Sequence, residues 1–295
     1  MIGCGGLSLE RRLSGARYLG ATMLLYASRA LPLRSLLLDE LTIDDETSFR
    51  HVAIYQRLKE VLRRAKHRFK IATVGENASW DRVLFLNLTF WSSNEEASVL
   101  CDEHIAPDVI AHTALHHVVG RALEKDAQPG APSPAALLFS EAIASAFDLY
   151  LVGRLVENAP DSDFIASQVP IMAEAAEQAG LDEKGFAALI SGVVAAPERA
   201  FEDMRALLVD AGTALLACKD AEEAHVALER FKGHRFAPLL HHFQLSNWIL
   251  YTRAYGRSVP REPGANDEVV HALDQEMRAS PDSIEWIERR LLAGA

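Results

Sequence analysis

Residues 107–123, PDVIAHTALHHVVGRAL, and residues 133–155, SPAALLFSEAIASAFDLYLVGRL, read as two consecutive apolar helices crossed by polar side chains. At 3.6 residues per turn, positions four apart share a face, so His112 and His116 point the same way. Glu141, Ser145 and Asp148 stand at i, i+4 and i+7, again one face. A carboxylate or an imidazole buried without a partner is costly. Two such helices in succession satisfy one another directly, or do so through a metal ion.

Working outward, Pro107 suits the first turn of its helix, where its missing N–H costs nothing, and Ser133-Pro134 offers a cap and a first-turn proline for the next. Upstream lies the β signal of the chain: 69–74, a turn at 75–77, 82–91, and a short run at 98–101. Before it, helices are expected over 8–30, 33–40 and 47–67. Beyond Asn158 no strand signal recurs, and helices are expected over 161–179, 182–194, 197–218, 220–232, 235–255, 267–279 and 282–292. The fold class is therefore α+β, mostly α, with strands confined to about 69–101. The natural division is a mixed half, 1–158, carrying the candidate site, and an all-helical half, 159–295.

The bulk numbers exclude several functions. A formal charge of −11 over 295 residues, 24% of them charged, argues against nucleic acid and against an anionic membrane surface as partners. Three widely spaced cysteines, Cys4, Cys101 and Cys218, make neither a CxxC zinc site nor a disulfide framework, and a reducing, cytoplasmic setting is the expectation. Residues 18–27, YLGATMLLYA, follow arginines as a signal-peptide core does. The stretch is too short to span a bilayer and lacks a clean cleavage motif, so it reads as a buried helix. No GxSxG elbow is present, and the GCGG at 3–6 follows no strand.

Zinc peptidases place two histidines at i and i+4 on one helix with a glutamate after the first, because both imidazoles then reach one point about 2 Å away. Here His112-Thr113-Ala114-Leu115-His116 keeps the histidines and has threonine in place of the glutamate. With eleven histidines in 295 positions, chance supplies about 0.4 such pairs, so the spacing alone carries little. The order of a strand-bearing segment, a histidine helix and a helix bearing Glu141 resembles the gluzincin group of zinc metallopeptidases, over about 98–157. The resemblance implies zinc held by His112, His116 and Glu141, with Asp148 orienting a ligand histidine and Ser145, Thr113 and His117 close by. Their metal-binding atoms should then lie within about 5 Å of one another.

The departures shape the functional expectation. A threonine hydroxyl does not ionise near neutral pH, and the residue one turn after Glu141 is Ser145, the acid arriving only at Asp148. Glu103, His104 and His117 are conceivable substitute bases. The expectation is a metal-binding protein on a gluzincin-like scaffold, without standard peptidase activity, serving a binding or regulatory role toward a protein or peptide partner. Two alternatives stay open. One is a metal-free helical interaction protein whose polar stripe only fixes helix register. The other is a helical-bundle non-haem iron enzyme built on Glu222-x-x-His225 with Glu46 and Glu103. His241-His242 reads as core or interface.

Overall fold

The computed structural model describes residues 33–72, 97–125, 133–243, 245, 249 and 265–293. The expected helix at 8–30, the strand at 82–91 and the second half of the helix at 235–255 lie largely or wholly outside them. The molecule is mostly helical with a small mixed sheet, as its composition pattern requires.

Three strands, β1 (Leu33–Leu37), β3 (Arg68–Ala72) and β4 (Ala97–Leu100), form one sheet in the order β1-β3-β4, the first pair antiparallel and the second parallel. A two-residue parallel pair joins β2 (Thr42–Ile43) to β5 (His104–Ile105). This corrects two expectations. Residues 33–40 are a strand followed by a 3-10 turn at Leu38–Glu40, and strands also lie outside 69–101. The run LRSLL is too short for periodicity to separate strand from helix; pairing of Leu33 to Leu37 with Ala72 to Arg68 decides it. The expected helix at 47–67 is a 3-10 segment, Glu46–His51, then α1 (Ala53–Ala65), which ends at Lys66 in the left-handed region.

From β5 the chain enters α2 (Pro107–Lys125) and then α3 (Pro134–Leu155), which starts where Ser133 Oγ accepts the N–H of Ala136. Helix α3 is the spine of the molecule. Seventeen of its 22 residues are buried, among them Leu138, Phe139, Ile143, Phe147, Leu149 and Leu151. Each large apolar side chain so buried contributes about 1.5–3 kcal/mol, which fixes this helix in place more firmly than its propensity would. By length and composition it could cross a membrane, but 83% of its apolar window lies inside the protein.

The helices that follow are α4 (Asp163–Gln178), α5 (Glu183–Ala195), α6 (Pro197–Ala217), α7 (Ala221–Glu229), α8 (Ala265–Ala279) and α9 (Ser283–Arg290); α4, α5, α6 and α8 pack on this spine, while α7 and α9 pack on α6. Side chains of Ser162, Asp182, Asp220 and Asp282 cap α4, α5, α7 and α9 by accepting N–H bonds from their first turns. Among the described residues 160–293 no strand occurs, as expected. The buried core is continuous from Leu58 and Leu62 of α1, through Ile110 and Leu115 of α2, to Phe201 and Leu208 of α6. Gly153 permits the close crossing of α3 over the α5–α6 junction. A Cβ there would stand 2.9 Å from Pro197 Cβ and 3.0 Å from the Val193 carbonyl oxygen.

Candidate metal centre

Helix α2 buries Ile110, Ala111, Ala114, Leu115 and Val118, and that apolar stripe turns His112 and His116 toward α3. On the largely buried α3, Glu141 meets the two histidines of α2. The donor atoms of His112, His116 and Glu141 all lie within 4.8 Å of one another. His116 Nε2 is 3.0 Å from His112 Nε2 and 3.1 Å from Glu141 Oε2, and His112 Nε2 is 3.9 Å from Glu141 Oε1. Zinc bound tetrahedrally, at about 2.0–2.1 Å from nitrogen, sets neighbouring donors about 3.4 Å apart. The two imidazole nitrogens stand near that spacing, and each has one of the two Glu141 oxygens at 3.1 or 3.9 Å. The expectation that these atoms fall within about 5 Å is met.

The protonation pattern suits a cation. Burial pushes the Glu141 carboxyl up, but the hydrogen bond and charge of His116, the charge of His112 and the Ser145 hydroxyl outweigh it and hold the group down at about 2. Ser145 Oγ donates to Glu141 Oε1 at 3.3 Å. Burial, with His116 beside it, lowers His112 to about 4 despite Glu141. An ionised carboxylate and a neutral imidazole are the forms that ligate metal. The side chains keep 33%, 21% and 18% exposure for His112, His116 and Glu141, so the cluster has access to solvent.

Ser140 is the residue that the sequence reading missed. Its Oγ stands 2.8 Å from His116 Nδ1, on the ring edge opposite the cluster, which aims Nε2 at Glu141. Such partners fix the ring and tautomer of a ligating histidine. The clue was a buried serine directly before the glutamate, but only the helix register shows that it faces His116.

Other expected neighbours fall elsewhere. Asp148 is reached by the charges of Asp108 and Glu141, and the orienting partner of His116 is Ser140. His117 points to the opposite side of α2, its ring 6.3 Å from that of His67. Thr113 follows His112 and is half-buried. Glu103 is ion-paired with Arg34, and His104 bonds Asp44 at 2.8 Å, both at the surface. The groups of the iron reading do not gather: Glu46 binds Lys59 and Tyr55, and exposed His225 stands 3.7 Å from Glu229. Among the described residues, His112, His116 and Glu141 are the one group with metal-ligand geometry. His242 is half-buried with its ring against Phe243, while His241 is exposed.

Comparison with known proteins finds no matching family, no matching curated protein and no matching solved structure.

Proposed function

We propose that the chain binds a divalent transition metal, zinc first, at His112, His116 and Glu141, and uses it in a binding or regulatory role instead of standard peptidase chemistry. The observation that carries this is the gathering of one donor atom from each of the three residues within 4.8 Å of one another. Ser140 engages Nδ1 of His116, which leaves Nε2 directed at the carboxylate and the second imidazole, where a cation would replace the proton between them. Two imidazole nitrogens and one carboxylate favour zinc over magnesium or calcium, which prefer all-oxygen shells. Bound zinc would supply Lewis acidity there.

What this chain lacks is a base beside His112. General acid–base help of about 10²- to 10⁴-fold should be absent with Thr113 in that position. The natural protein should therefore show no chelator-sensitive hydrolysis of unstructured protein substrates; robust hydrolysis would show that another residue acts as base. Metal analysis after zinc-supplemented expression tests the binding itself. About one zinc per chain, lost in His116→Ala and in Glu141→Gln, is the expected result. Absence of metal would favour a metal-free helical scaffold.

A further inference from the structure

Past the end of α3, a cavity of about 290 Å³ opens at the surface between two walls. One wall is the 3-10 segment Glu46–His51, which brings Thr47, Arg50 and His51 to it. The other is the connection from α3 to α4, which brings Asn158 and Asp161. Helix α3 covers about 21 Å between Glu141 and its end at Leu155, so the cavity is separate from the metal centre.

The two walls are tied to one another. Asp45 stands just before the 3-10 segment in the left-handed region, at φ 46°, a conformation that aspartate tolerates by bonding locally. Its Oδ1 accepts the Ser48 hydroxyl at 2.6 Å and its Oδ2 accepts the Asp163 N–H at 3.1 Å. One carboxylate thus spans the first wall and the start of α4. The Phe49 ring, 1% exposed, meets Phe164 edge-on at 6.0 Å and closes the same junction with apolar contact. A cavity so braced is formed before a ligand arrives, which lowers the ordering cost of binding.

Its charges are opposite and do not meet. Arg50 donates from Nε to His51 Nε2 at 2.9 Å, which makes Nδ1 the donor of a neutral His51 ring. The terminal nitrogens of Arg50 make no hydrogen bond or ion pair among the described residues, and neither do the side chains of Thr47 and Asp161. Asn158 spends its amide N–H on the Arg154 carbonyl, at 2.7 Å, so Asp161 is the free charge of its wall. A guanidinium, a ring N–H and a hydroxyl suit a carboxylate. The facing Asp161 suits an ammonium group and repels a simple anion. The volume, at the low end for ligand pockets, admits only a small molecule.

We propose that this cavity binds a free α-amino acid, with its carboxylate at Thr47, Arg50 and His51 and its ammonium at Asp161. A zwitterion carries both charges on one carbon and satisfies both walls at once. The site uses none of the metal-binding residues, so it stands or falls separately from zinc binding.

Ligand-observed NMR on the full-length protein tests it, with the common L-amino acids offered one at a time at millimolar concentration. At least one should bind saturably. The matching amine and the matching carboxylic acid, each lacking one charge, should bind about five- to tenfold more weakly. Arg50→Gln and Asp161→Asn should each weaken the amino acid by a similar factor and leave zinc content unchanged. Both residues are exposed, so neither substitution disturbs the core. No binding by any amino acid would overturn the proposal, as would binding indifferent to either substitution. Inorganic phosphate that binds as well as the best amino acid would also overturn it, by making the cavity an anion site alone.

Discussion

Helix α3 carries two polar clusters on different sides, and they are built on opposite principles. On one side Arg205 of α6 lies over the Phe139 ring, its side chain 0% exposed. Its guanidinium donates twice to Glu202, at 2.6 and 2.8 Å, and once to Asp274, at 2.7 Å. Ser283 donates to Glu202 and Arg278 to Asp274, so both acids are saturated and α6, α8 and α9 are tied together. On the other side ring nitrogens of His112 and His116 and the Glu141 carboxylate gather at one point that keeps access to solvent. A cluster that holds a fold closes on itself. One that gathers ligand atoms at a solvent-reachable point leaves room for a cation to be added.

The comparison breaks most clearly at Arg205. Arg205→Leu takes the fully buried partner from two half-buried acids and should cost about 3–5 kcal/mol in denaturant unfolding. Glu141→Gln, in metal-free protein, should cost about 1–2 kcal/mol, as for one lost charged hydrogen bond. If Glu141→Gln proved the costlier in metal-free protein, the metal cluster would be structural and the contrast void.

A pH scan sharpens it next. Burial, with His117 nearby, lowers His67 from 6.5 to about 4. The unfolded chain therefore takes up a proton before the folded one does, so this stability is complete above about 6.5 and lost as pH falls toward 4. The share is up to about 3 kcal/mol, since each unit is worth about 1.36 kcal/mol. His67→Phe should flatten that acid limb and leave zinc binding near neutral pH unchanged. An unaltered limb would assign the acid sensitivity to the metal cluster instead.

Smaller effects are expected at two positions. Gly153→Ala places a methyl 2.9 Å from Pro197 Cβ and should lower stability by about 1–3 kcal/mol, without changing metal affinity. Ser140→Ala should do the reverse. Losing the partner of His116 Nδ1 should weaken zinc binding about 10- to 100-fold in a competition titration. Stability should change by only about 1 kcal/mol. Equal zinc affinity in Ser140→Ala and the natural protein would remove Ser140 from the centre.

The sequence made one link legible and hid the next. Spacing alone put His112 with His116, because a helix repeats every 3.6 residues whatever surrounds it. It also placed Glu141 and Asp148 on one face, yet it said nothing about what stands opposite each. That depends on how the two helices pack, which sets Ser140 on His116. Neighbours one residue apart on a helix point about 100° from each other, which is why His117 joins His67 and not its sequence neighbour. The strand at Leu33–Leu37 was hidden for a related reason, since its identity lies in the pairing with Arg68–Ala72. The mostly helical class was legible because caps and periodicity are local.

The sharpest test is X-ray absorption at the zinc edge on the natural protein loaded with one equivalent of zinc. Two imidazole nitrogens and one carboxylate oxygen at about 2.0–2.2 Å, with the two-imidazole signature lost in His116→Ala, are predicted. Sulfur scattering from Cys101 or Cys218, or a spectrum of free aqueous zinc, would contradict a metal centre at His112, His116 and Glu141.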